Sequence, residues 1–99
     1  MKHFLVDIHY TAPIEEIEKT VQEHRKFLQT GYEKGMLLCS GPKNSKTGGI
    51  VIARAVSEDS LKVFFADDPY KLKNLVEYTF TEFNPVKHQN FLVKWIEGN

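Results

Sequence analysis

Two side chains able to move protons stand where the pattern of the chain calls for apolar residues. Ile14, Ile17, Val21, Leu28 and Tyr32 recur at three- and four-residue spacing, which predicts the buried face of one long helix. His24 falls at the edge of that stripe, on the flank nearer Phe27. An imidazole titrates near neutrality, so a half-buried histidine that reaches a cavity can take up a proton and return it. Further along, Leu61, Phe64 and Phe65 mark the apolar face of a second helix, and counting on by three and four puts Asp68 on or just past that face. Each residue also has an ordinary explanation. A histidine on an apolar face is often a core residue satisfied by a carbonyl, and Asp68-Pro69 is good capping chemistry for a short following helix.

Other chemistries find less support. His3 and His9, six residues apart on a strand, would be separated by about 20 Å, too far to share one metal ion. The sequence has no Gly-rich phosphate loop, no Cys or His pair at ligand spacing and no base identifiably placed beside Cys39, so no metal and no cofactor is expected. Cys39 reads as packing, His3 and His88 as surface residues, and Arg54 as a solvated strand end, although an inward Arg54 would suit an anionic ligand.

The elements that must position His24 and Asp68 follow from periodicity. Phe4, Val6, Ile8 and Tyr10 alternate with His3, Leu5, Asp7 and His9, a strand with one strongly apolar face that Thr11-Ala12-Pro13 ends. Thr11 or Pro13 opens the long helix, Glu15, Glu16 and Glu18 suit the positive end of its dipole, and Gly31 and Gly35 mark its decay. Met36 to Cys39 predicts a second strand that turns at Ser40-Gly41-Pro42. Gly48-Gly49 leads into a third, Ile50-Val51-Ile52-Ala53, closing a hairpin. Ser57 caps the second helix, which ends near Asp67-Asp68 because a residue before proline avoids helical angles. Val76, Tyr78 and Phe80 alternate with polar residues as a fourth strand, and the apolar tail Phe91 to Ile96 predicts an extra strand or a docked arm, with Trp95 packed on something.

The order β-α-β-β-α-β is that of a ferredoxin-like α+β sandwich, one domain over residues 1–99 with both helices on one face of an antiparallel sheet. Leu5, with Leu37, Cys39, Val51 and Ala53, would leave the other face too apolar for water, which predicts a homodimer through that face. Thirteen basic residues balance thirteen acidic ones, which leaves no footprint for nucleic acid. A lone cysteine, no secretory segment and no run long enough to span a membrane predict a cytoplasmic protein.

Taken together, Met1 to Val6, His24-Arg25-Lys26-Phe27-Leu28, Ser40-Gly41-Pro42, Gly48-Gly49-Ile50, Ala66-Asp67-Asp68-Pro69-Tyr70 and Glu82-Phe83 resemble the YciI-like (YCII-related) family, in order along nearly the whole chain. The resemblance implies a dimeric α+β barrel fold and a histidine-aspartate centre, which by position is His24 and Asp68. Among the few activities it implies is dehydrochlorination of small aromatics. The tail beyond Pro85 matches the family least.

An aspartate bonded to one imidazole nitrogen fixes the tautomer and leaves the other nitrogen free for general acid-base work. The expectation is a cofactor-independent lyase, dehydrochlorinase, isomerase or hydrolase-like enzyme with His24 and Asp68 catalytic, in a pocket between helices and sheet. Ser40, Gly41 and Tyr70 are candidates for contacting a small-molecule ligand, against turn and core roles for the same residues. The rival is a non-catalytic metabolite-binding or regulatory module using the same cavity.

Overall fold

Alternation in the first ten residues sets the sheet. The computed structural model describes residues 1–98; Asn99, the last residue of the domain expected over 1–99, lies outside the described residues. Strand β1 (Lys2–Tyr10) is central, antiparallel to β3 (Gly48–Ala55) on one side and to β4 (Val76–Phe83) on the other, and β2 (Leu37–Pro42) completes the order β2-β3-β1-β4. Helices α1 (Ile14–Glu33) and α2 (Glu58–Phe65) cover one face, giving the ferredoxin-like α+β arrangement. Two short helices, α3 (Pro69–Leu72) and α4 (Val93–Glu97), follow α2 and end the tail.

Register decides which side chains share the helix-covered face. Phe4 lies opposite Ala53 and Val6 opposite Val51, and residues that face one another across an antiparallel pair point to the same side. Phe4, Val6, Val51, Ala53, Leu61 and Phe65 are almost wholly buried there, each larger side chain contributing about 1.5–3 kcal/mol by leaving water. The expectation that Leu37, Val51 and Ala53 sit on the opposite face is therefore corrected. That open face instead carries Leu5, Ile50 and Ile52, partly buried, with Asp7 ion-paired to Lys43 at 2.9 Å, and Cys39 is exposed rather than packed.

Strand β2 contains an irregularity with consequences for the site. Leu37 pairs with Ala53 but Cys39 pairs with Ile52, so Leu38 is one residue too many. Beyond this bulge Ser40 lies opposite Val51 and so shares the helix-covered side. Ser40-Gly41-Pro42 is thus strand and not turn; Pro42 is tolerated because β2 is an edge, where a missing N–H breaks no inner ladder.

Helix α1 also departs from expectation. Its buried residues are Ile17, Thr20, His24, Leu28 and Gly31, so His24 lies at the centre of the buried face and not at its edge, while Ile14 is turned outward. The helix ends at Glu33, between Gly31 and Gly35 as expected; Gly35 takes φ +72 just beyond it, and Gly31 has a packing role, since a Cβ there would come within 2.7 Å of Phe64 and 2.8 Å of Leu37. Helix α2 opens as predicted at Ser57, whose side chain accepts from Ser60 N–H in a reciprocal capping box, a contribution of about 1 kcal/mol.

The tail takes the second of its two expected forms. It makes a 3-10 turn at Asn90–Leu92 and then α4, with no added strand among the described residues. Arg54, expected as a solvated strand end, is buried against it: Nε donates to Gly35 O at 2.8 Å, a terminal nitrogen donates to Trp95 O at 3.0 Å, and the guanidinium lies 4.1 Å from the Trp95 ring. His3, expected at the surface, is covered by the same arm, with Nε2 3.4 Å from Ile96 O.

Candidate functional site

Two features of the backbone bring His24 and Asp68 together across 44 residues of sequence. Helix α1 aims His24 inward from the middle of its buried stripe. Asp68 lies just past α2, the second of the two positions that the count from Phe64 and Phe65 allowed. Helix α2 ends at Phe65, and Asp68 adopts the extended conformation that a residue before proline prefers (φ −60, ψ 127), becoming the N-cap of α3 with Pro69 in its first turn. Its carboxylate accepts from Tyr70 N–H at 3.0 Å, so one residue both caps the helix and meets the histidine.

The pairing is close and dry. His24 Nδ1 lies 2.9 Å and 3.0 Å from the two Asp68 oxygens, with Asp68 fully buried and His24 at 8% exposure. A carboxylate only accepts, so Nδ1 carries the hydrogen. Asp68 accepts a third donor, the hydroxyl of Tyr78 on β4. Burial first, and then the Asp68 charge and that hydrogen bond, push the Tyr78 hydroxyl well above its ordinary range, which keeps it protonated as a donor. Tyr70 stacks on the His24 ring with centroids 4.0 Å apart and planes within 14°, fixing its tilt. Burial chiefly, with Tyr10 and Asp68 adding to it, raises the Tyr70 hydroxyl likewise. Lys73, 3.4 Å from Thr20 and 3.3 Å from Glu23, ties the end of α3 to α1 behind the pair.

In front of His24 lies a cavity of about 230 Å³ between α1 and the sheet, with apolar walls from Ile8, Val21, Leu28 and Val51. Its polar groups are His24, Arg25, Ser40, Tyr10 and Tyr70, and Gly41 lines it with no other part of the chain within 4 Å of where a Cβ would stand. Ser40 Oγ is held 2.7 Å from Tyr32 OH near the opening. Nε2 of His24 has no hydrogen-bond partner among the described residues, yet no side-chain nitrogen or oxygen there is buried without one, so Nε2 opens onto the cavity. Among the described residues, no three His, Cys, Asp or Glu side chains gather as metal ligands.

The structure brings together all five residues singled out from the sequence: His24, Ser40, Gly41 and Tyr70 line the cavity and Asp68 stands behind His24. Sequence reasoning missed Tyr78, Tyr10, Tyr32 and Arg25. Tyr78 could have been found only as the one inward strand residue of β4 carrying a hydroxyl; Arg25 follows His24 directly and gives no signal of its own.

A comparison with solved structures places the fold. The 5-chloro-2-hydroxyhydroquinone dehydrochlorinase of Burkholderia phenoliruptrix AC1100, solved with 2,5-dihydroxybenzoquinone, is similar over 90% of this chain and 97% of that one, with a TM-score of 0.70 and 20% sequence identity. No curated protein matches the chain. The family model for the YCII-related domain matches residues 1–84, the whole sheet with its covering helices, and the chain belongs to that family.

Proposed function

We propose that the protein is a small-molecule enzyme that works by general acid-base catalysis, with His24 as the proton-transferring group and Asp68 as its partner. One observation carries this reading: Nδ1 is held by a buried carboxylate while Nε2 faces a cavity large enough for a small organic molecule. With Nδ1 protonated, neutral His24 presents a lone pair at Nε2 and takes a proton from an O–H or C–H of the substrate. The electron pair of the broken bond moves into the substrate, where it expels a leaving group such as chloride or forms a new double bond. The imidazolium, stabilised by Asp68, then returns its proton to the product or to water. The fold shared with a dehydrochlorinase supports a reaction of this elimination or isomerisation class. Ser40, Gly41 and Tyr70 contact the substrate at the mouth and floor of the cavity.

The working unit in this proposal is a homodimer closed through the part of the open sheet face that the C-terminal arm leaves uncovered, where Leu5 lies opposite Ile52 and Ile50 opposite Asp7. Sedimentation at micromolar concentration tests it: a monomer overturns the dimer, and Leu5→Lys should produce one.

The test of catalysis is incubation with mixtures of small hydroxylated, halogenated and keto compounds, analysed by mass spectrometry. Consumption by the native protein and not by His24→Asn supports the enzyme. Consumption that survives His24→Asn rejects the assignment. Saturable thermal stabilisation by a compound that is never consumed supports the metabolite-binding alternative.

A further inference from the structure

A second hollow is walled in part by Tyr78, the residue whose hydroxyl donates to Asp68. It has a volume of about 250 Å³, is lined by Lys62, Phe65, Ala66, Lys71, Tyr78 and Phe80, and shares no lining residue with the cavity at His24. We propose that this hollow is a binding site for a small amphipathic anion, such as an aromatic carboxylate, and that its occupancy is felt at His24 through Tyr78 and Asp68.

The class of ligand follows from the walls. Phe65, Tyr78 and Phe80 stand 5.2 to 6.0 Å apart, centroid to centroid, and give an apolar aromatic floor against which a planar body packs. Lys62 and Lys71 supply ammonium groups, Lys62 at 6.0 Å from the Phe80 ring centre. Among the described residues no acidic side chain lines the hollow; Glu58 pairs with Lys62 at 3.0 Å without forming part of its wall. With Lys62 already paired to Glu58, Lys71 is the charge that an incoming anion meets; a neutral apolar compound would leave it unused, and a cation would be repelled.

The coupling follows from connectivity. The Tyr78 ring forms part of this wall and its hydroxyl donates to Asp68; Asp68 holds Nδ1 of His24; and His24 lines the other cavity. A body packed on Tyr78 moves its hydroxyl relative to Asp68, and a changed carboxylate changes the hydrogen bond at Nδ1. The consequence for turnover rests on the catalytic reading of His24, whereas binding in the hollow does not.

The experiment is a titration of isotopically labelled protein with benzoate, followed by NMR, with benzamide as the uncharged isostere. Saturable shifts of the Lys62, Ala66 and Lys71 amides, and of the His24 ring resonances at the same midpoint, are the expected result. Benzamide, and benzoate on Lys71→Gln, should bind on the order of tenfold more weakly, the loss of one charge-assisted contact. Tyr78→Phe should keep the amide shifts and lose the His24 response. Shifts confined to Ser40 and Gly41, or no saturation at Lys62, Ala66 and Lys71, overturn the site. Amide shifts in the hollow with an unmoved His24 ring overturn the coupling. Neither readout uses turnover, so failure of the enzyme assignment would leave both intact.

Discussion

The molecule buries two histidines, one on each face of the sheet, and surrounds them differently. His24, under the helices, has a buried carboxylate on Nδ1, a tyrosine ring on its face and an open nitrogen in a cavity. His3, under the C-terminal arm, is buried to the same degree (6% exposed against 8%), but its neighbours are a backbone carbonyl and the Trp95 ring at 6.5 Å. Burial therefore does not separate the imidazole proposed to transfer protons from one that only packs. A carbonyl can anchor a ring but carries no charge to stabilise the imidazolium, whereas Asp68 does both.

Substitutions at the two positions should break the symmetry between them. The largest effect is at His24, where Asn should lower turnover of any substrate by about 10²- to 10⁴-fold with unchanged circular dichroism. Asp68→Ala strands the His24, Tyr70 and Tyr78 donors and removes a helix cap, so urea unfolding should show a loss of about 3 kcal/mol or more. At the other face, His3→Gln should cost about 1 kcal/mol or less in the same measurement and leave turnover unchanged, because its ring bonds to the arm and does not line the His24 cavity.

Alkaline titration sharpens the comparison further, since only the His24 side has buried tyrosine hydroxyls shifted upward. Tyr70 and Tyr78 ionise above the ordinary 10.0 in the fold and near it once unfolded. Above that pH the unfolded chain holds fewer protons than the native one, so stability is intact below it and falls as pH rises through it. Tyrosinate absorbance from these two should appear only together with unfolding, and Tyr78→Phe should make the pH dependence shallower.

Much of this was legible in the sequence, and the reason is local. Phe4, Val6 and Ile8 alternate cleanly, Ser57 carries its own capping signal, and the element order leaves few sheets to choose from. His24 and Asp68 were visible as polar residues interrupting apolar patterns. The Asp68-Pro69 cap of a short following helix was legible too, but no local pattern carries the meeting of its carboxylate with His24 across 44 residues; only the family resemblance implied that pairing. The faces of Leu37, Val51 and Ala53 were misread because a near-continuous apolar strand has no alternation to read; only pairing with Phe4 and Val6 fixes them. Arg54 and His3 looked like surface residues because their cover, the arm around Trp95, comes from more than forty positions away in the chain.

The surplus residue in β2 settles which chalcogen stands at the entrance. Were Leu38 paired in step with Ile52, Cys39 would turn toward the helices opposite Val51 and Ser40 would turn away. A soft, oxidisable sulfur would then greet whatever enters, in place of an alcohol tethered to Tyr32. Slippage by one position would thus exchange a redox-silent doorway for a redox-sensitive one, with no change of sequence.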